Sequence, residues 1–322
     1  MSSTVGEHAT PSTPTESVSE RFLSAATGMA APLLRVGDLE GMSSYYTNAL
    51  AFTELEERTI GREVHRVLGR GATPLLRLVH TPDLPGVDRT QAGLYHNAFL
   101  FDDAAGLAKT VYRAAQDSRS RFAGSADHFV SEAFYFTDPE GNGIELYTDR
   151  PRAQWQRARG QIIMGTEYLD PTHYLESHLT QSVLDDDAVR PGTVGHVHLQ
   201  VGDLRTARAF YVDALGFEVT MDEYPGSLFA SAGGYHHHVA MNTWHSSGAG
   251  PRAASLGLAE LAVAVPTRED LDALIARYRV HGIPFADAGN AVTAADPWGT
   301  PVTVSLAGND CLNDLPLGEL LE

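Results

Sequence analysis

Hydrophobic positions along this chain alternate at period two in short runs, with helical spacing between them, in an order that recurs. Leu34-Arg-Val-Gly-Asp38-Leu leads into a helical stretch, Glu40 to Leu50, closed by Ala-Phe; Leu199-Gln-Val-Gly-Asp203-Leu leads into another, Arg205 to Leu215, closed by Gly-Phe. Tyr45-Tyr46 and Phe210-Tyr211 take matching places on those helices and read as helix core. Two further runs, Tyr95 to Phe101 and Glu260 to Val265, precede helices from Ala104 and Arg268. Each of those blocks closes on a hairpin turn, Asp138-Pro-Glu-Gly and Asp296-Pro-Trp-Gly.

The repeat predicts an α+β chain of four βαβββ units at 31–82, 92–150, 193–248 and 256–308. Units one and three form one type, units two and four another. A single helix on a short curved sheet leaves an apolar concave face, so two units must pair to close a cup. Residues 1–30 read as a disordered tail, 151–192 as a connector with short helices within Trp155 to Leu169 and Tyr174 to Leu184, and 309–322 as a C-terminal tail. The connector allows unit three to travel away from unit two or to fold back beside it.

Composition narrows the partners. A net charge of −18 argues against nucleic acid and anionic membrane. No run of about 18 apolar residues predicts a membrane span. The single cysteine, Cys311, excludes an internal disulfide and fits a reducing, cytoplasmic setting.

Candidate chemistry gathers in the middle units. His96 lies seven residues before Asp103, and His196 seven before Asp203; the same register holds Ala31 in unit one and Glu260 in unit four. Alternation puts His196, His198 and Gln200 on one face, and His96 with Ala98 on the matching face. Aligned on the Asp-Pro-x-Gly turns, Glu145 of unit two stands where unit four has Thr303. Two imidazoles and a carboxylate leave up to three positions open on a divalent metal, which suits Fe(II), or alternatively Mn(II), in oxygen chemistry. The run from His128 through Tyr135 to Glu145 sets a histidine, a phenol and that carboxylate around one hairpin. In Gly233-Gly-Tyr-His236-His237-His238, alternation points His236 and His238 one way and His237 the other, unless a bulge intervenes. His198, His236, His238, Asn242 and Trp244 are candidate substrate-binding walls.

These residues resemble the vicinal oxygen chelate superfamily, specifically its extradiol catechol 2,3-dioxygenases, over roughly residues 31 to 308. The resemblance implies metal ligands His96, Glu145 and His196, an acid–base role for His237, and substrate contacts from His128 and Tyr135. It implies ring cleavage of a small aromatic diol by O2. Superfamily cups often associate, so it allows a homo-oligomer. In ordinary two-domain members the ligands come from units three and four; here the competent units are two and three. A complete triad therefore requires unit two to pair with unit three, within one chain or between subunits. Alternatives are hydroquinone-type ring cleavage, a glyoxalase-type isomerase or lyase with His238 as a fourth ligand, and a non-catalytic small-molecule binder.

Overall fold

The computed structural model describes residues 21–186 and 188–308. The first repeat holds β1 (Gly28–Met29), β2 (Leu33–Val36), α1 (Leu39–Leu50), β3 (Thr53–Ile60), β4 (Glu63–Arg70) and β5 (Thr73–His80). The second holds β6 (Gly93–Phe101), α2 (Ala104–Gln116), β7 (Arg121–Asp127), β8 (Ser131–Thr137) and β9 (Gly143–Asp149). Between the second and third lie a small hairpin, β10 (Arg157–Ala158) and β11 (Gln161–Ile162), then β12 (Glu167–Tyr168), α3 (Pro171–His178) and α4 (Gln181–Leu184). The third repeat follows with β13 (Gly192–Gln200), α5 (Leu204–Ala207), a π-helical stretch over Arg208–Ala214, β14 (Glu218–Met221), β15 (Ser227–Ser231) and β16 (Val239–Asn242). The last comprises β17 (Gly257–Val265), α6 (Arg268–His281), β18 (Ala286–Asp287), β19 (Ala291–Ala295) and β20 (Pro301–Leu306).

The recurrent residue ahead of each helix is an N-cap. Asp38, Asp103 and Asp203 each accept a bond from a backbone N–H three residues on, at 2.9, 2.7 and 2.8 Å. Thr267 does the same in a capping box with Asp270.

Strands of the second and third repeats share one nine-stranded sheet, ordered β12-β7-β8-β9-β6-β13-β16-β15-β14. Strands of the first and fourth share the other, β18-β19-β20-β17-β2-β5-β4-β3, with β1 added against β17. The seam of each sheet is antiparallel, β6 with β13 and β17 with β2. The helices pair differently: α1 packs on α2, and the π-helical stretch packs on α6. Sheets thus join repeats two to three and one to four, while helices join one to two and three to four.

The turn tyrosines tie these layers together. Tyr46 on α1 donates its hydroxyl to Asp138 at 2.9 Å, and Tyr211 donates to Asp296 at 2.8 Å. Tyr45, Tyr46, Phe210 and Tyr211 are all buried, as helix core should be. The Asp-Pro-x-Gly turns are therefore sockets for the neighbouring repeat's helix as well as hairpin ends.

Two expectations need correction. A disordered tail to residue 30 runs too far: Leu23 is buried, its N–H bonds Gly216, and Gly28–Met29 pairs with Val263 and Ala264. Residues 1–20 and 309–322, with Cys311, lie outside the described residues. The first half of the connector carries no α-helix; a short 3₁₀ turn and the β10–β11 hairpin replace it, because Arg159 and Gly160 adopt positive φ at its tip. Its second half is helical over Pro171–His178 and Gln181–Leu184.

Candidate active site

The sheet seam brings the two repeats' first strands side by side, and bulges on both aim their histidines. Along the β6–β13 pairing, Val194 faces Phe99 and His196 faces Ala98, so Gly195 is the extra residue. His198 faces His96 and Leu199 faces Leu94, so Tyr95 is extra on the other strand. Each bulged residue directly precedes one of the two histidines, and a bulge re-aims the side chain that follows. Only glycine fits at 195, since a Cβ there would sit 1.7 Å from the Tyr147 hydroxyl.

Glu145 reaches the same point from β9, which runs parallel to β6 and pairs it with Ala98. Glu145 Oε2 lies 2.9 Å from His96 Nε2 and 3.2 Å from His196 Nε2. Donor atoms of the three residues lie within 4.8 Å of one another, and all three side chains are buried. Burial opposes ionisation of Glu145, but the His196 and His96 imidazoles outweigh it and hold the carboxyl well below its usual range. Burial pushes His196 down to about 4, so the imidazole is neutral with its lone pair free to bind a cation. His96 Nε2 is buried and lacks a well-formed hydrogen bond despite its closeness to Glu145. A carboxylate and two imidazoles converging this way fit a divalent metal.

The cluster forms the floor of a cavity of ≈ 370 Å³. His237 and His198 line it, as do His128 and Tyr135. Burial, followed by the neighbouring imidazoles His196 and His236, holds His237 well below the ordinary histidine range. Burial and then His96 and His196 do the same to His198, whose Nε2 meets the Asn242 side-chain amide at 2.9 Å. His128 sits on the turn between β7 and β8, where Phe129 takes a left-handed φ of 70° that an aromatic residue adopts only under constraint. Its Nδ1–H donates to the Gly165 carbonyl at 2.7 Å, and its Nε2 lies 2.6 Å from the Tyr135 hydroxyl. Burial and the charge of Glu145 push Tyr135 well above its ordinary value, keeping it a neutral donor.

Not every candidate wall residue faces this cavity. Trp244 lines it beside Tyr95, with ring centroids 5.4 Å apart. His236, His238 and Asn242 do not line it. His237 lines the cavity while His236 and His238 do not, the split that alternation implied, although Gly233 and Gly234, at φ 62° and 67°, turn the chain and β16 begins only at Val239. His238 turns back onto Ser231 and the Ala232 N–H. Asn242 stands behind His198. Sequence reasoning missed the connector, whose Met164, Gly165 and Thr166 form part of the cavity wall. It is held there by β12 pairing with β7; no periodicity in that segment announced this.

Strand register also locates the position symmetric to Glu145. Ala98, two past His96, pairs with Glu145; His198, two past His196, pairs with Ala240. A fourth protein ligand of the glyoxalase kind would come from position 240, not 238, and alanine cannot supply it. In the other sheet the corresponding four positions are Ala31, Arg77, Glu260 and Thr303. There Arg77 donates to Glu260 at 2.7 Å with both side chains buried, and Thr293 and Thr303 hydroxyls meet at 2.9 Å. A guanidinium supplied by the chain stands where the first sheet leaves room for a cation.

Repeated βαβββ units, with a curved sheet gathering two imidazoles and a carboxylate, define a metal-dependent enzyme class built on the vicinal oxygen chelate fold. The Glyoxalase/Bleomycin resistance protein/Dioxygenase superfamily model matches residues 28–146 and 193–302, and the chain belongs to that superfamily. Catechol-2,3-dioxygenase of Bacillus subtilis (strain 168) is 37% identical over 273 residues, covering 82% of this chain and 92% of that protein. Among solved structures, a putative dioxygenase from the same species superposes with TM-score 0.59 at 12% identity, over 88% of this chain and 86% of the other. Glyoxalase I from Zea mays gives 0.55 at 17% identity, over 87% and 92%. At such identities both concern the fold alone.

Proposed function

We propose that the chain is an extradiol ring-cleaving dioxygenase, acting on a catechol-type diol with O2. The observation that carries the reading is the convergence of His96, Glu145 and His196 within 4.8 Å at the floor of the cavity that His237, His128 and Tyr135 also line. The 37% identity to a catechol-2,3-dioxygenase supports the same chemistry. Fe(II) is the proposed metal and Mn(II) the alternative, since this donor set suits both. When bound, a divalent metal supplies Lewis acidity toward the diol oxygens and an electron path between diol and dioxygen.

The chain's residues do the rest. His237, neutral because it is buried, takes the proton of the second phenolic oxygen and later returns one as an acid. The Tyr135 hydroxyl and His128, joined at 2.6 Å, orient the diol by hydrogen bonding. Tyr95, Phe229 and Trp244 give the cavity flat apolar walls that suit an aromatic ring and keep water out. Cleavage beside the two hydroxyls yields a yellow semialdehyde.

The test is anaerobic loading with Fe(II), then catechol and oxygen, followed by visible absorbance. Accumulation of the yellow ring-fission product supports the reading. Its absence with Fe(II) and with Mn(II) overturns it.

A further inference from the structure

Behind the cavity wall, His237 does not stand alone. Its Nδ1 lies 2.7 Å from His236 Nδ1, and His236 Nε2 lies 2.9 Å from Asp149 Oδ1. His236 is fully buried in an aromatic cage, with Tyr235 at 4.0 Å, Trp155 at 5.3 Å and Tyr147 at 6.0 Å between ring centroids. His237 Nε2 has no hydrogen-bond partner among the described residues, and its ring reaches the cavity. Two consecutive histidines touch here only because Gly233-Gly234 turns the chain out of strand geometry just ahead of them.

For rings that carry one proton each, the two contacts allow one consistent placement of protons. A carboxylate can only accept, so His236 donates Nε2–H to Asp149. The His236 Nδ1 is then a bare acceptor, and His237 must donate Nδ1–H to it. That leaves the His237 Nε2 lone pair facing the cavity. We propose that Asp149 and His236 are positioning residues that hold His237 in its Nδ1–H tautomer, so that Nε2 is the atom that takes the diol proton. The proposal rests on the ring-cleavage reading for its purpose, though not for its geometry. A ring freed from this chain would populate the other tautomer, which presents an N–H to the diol and accepts nothing. When His237 becomes an imidazolium, the His236 lone pair and, beyond it, the Asp149 carboxylate stabilise the charge, the logic by which a buried carboxylate steadies a histidine base.

The full-length chain with isotope-labelled histidine, chelated free of paramagnetic metal, is measured by nitrogen NMR near neutral pH. His237 resonances are assigned by their loss in His237→Gln. The wild type is expected to show Nδ1–H with a bare Nε2, Asp149→Asn to keep that state through its side-chain carbonyl, and Asp149→Leu to shift it toward Nε2–H. Should Asp149→Leu not fold, Asp149→Ala, which adds no bulk, carries the same expectation. Nε2–H in the wild type, or an unchanged tautomer in Asp149→Leu and Asp149→Ala, overturns the proposal. In the Fe(II)-loaded protein, Asp149→Leu should lower kcat for catechol by roughly tenfold to a hundredfold with KM within about twofold, and Asp149→Asn should recover most of the loss. Equal losses in both variants, or a loss confined to KM, also overturn it. A wild type that never cleaves catechol sinks the ring-cleavage reading instead and leaves the tautomer measurement standing.

Discussion

Glu145 is a carboxylate held ionised and out of water between His96 and His196, an arrangement that is costly until a cation completes it. Glu145→Ala removes the cluster's only anionic donor, so metal retained after Fe(II) loading and desalting should fall by roughly tenfold or more on elemental analysis. Retention near the wild-type level would detach Glu145 from the metal. His237→Phe should keep the metal and lose turnover by roughly a hundredfold or more, as expected on deleting a general base. Single-turnover kinetics with equal metal content check this. At this scale the sequence was legible where chemistry demands a residue type: His96 and His196 stood out by identical offsets in repeated blocks, and Glu145 by its place after the Asp-Pro-x-Gly turn, where the fourth block has Thr303. It was illegible where backbone conformation decides contact. Alternation already separated His237, which lines the cavity, from His236 and His238, which do not; what the residue pattern could not show is that the turn at two positive-φ glycines brings the His236 and His237 rings into contact.

Elements are joined by buried turns, and these have their own titration. Asp138 is pushed up to about 6 from 3.8 by burial, despite bonds from Asn142 and Tyr46. An acid raised in the folded state makes its contribution below its unfolded value, near pH 4, and loses it as pH climbs through about 6. The stability difference between wild type and Asp138→Asn should therefore drift against the wild type between those limits, by on the order of 2–3 kcal/mol, and be flat above them. Thermal melts of both proteins across that range decide it; a constant offset would contradict the shift. Gly195→Ala addresses the bulge itself. The added methyl meets the Tyr147 hydroxyl, so a loss of about 1–3 kcal/mol in denaturant unfolding is expected. The strand–helix order of all four repeats was readable from periodicity and capping residues. The β10–β11 hairpin and the cavity-facing part of the connector were not, because neither segment carries a sustained period of its own.

In the whole molecule, two sheets of the same ancestry of pattern have reached opposite solutions. One leaves Ala240 opposite Glu145 and keeps its centre open; the other fills that centre with Arg77 against Glu260. Arg77→Met leaves Glu260 buried without its guanidinium partner and should cost about 3–5 kcal/mol, while Arg77→Met combined with Glu260→Leu should recover much of it. Chemical denaturation of the single and double variants measures this. The requirement that repeat two meet repeat three could be deduced from where the ligands fall, and one chain satisfies it through the β6–β13 seam. The ion pair could not be foreseen, since it joins side chains 183 positions apart with no shared motif.

The crossed joining of sheets and helices sets a timetable. A nascent chain released through Asp149 already carries His96 and Glu145, yet β6 at that stage is an open edge with no β13 beside it. Only after the ribosome has delivered β13, through Gln200, can that edge close, and only then can both imidazoles stand over one carboxylate. Neither half of the polypeptide, cut in the connector, carries the full donor set; metal acquisition must follow the pairing of the middle strands.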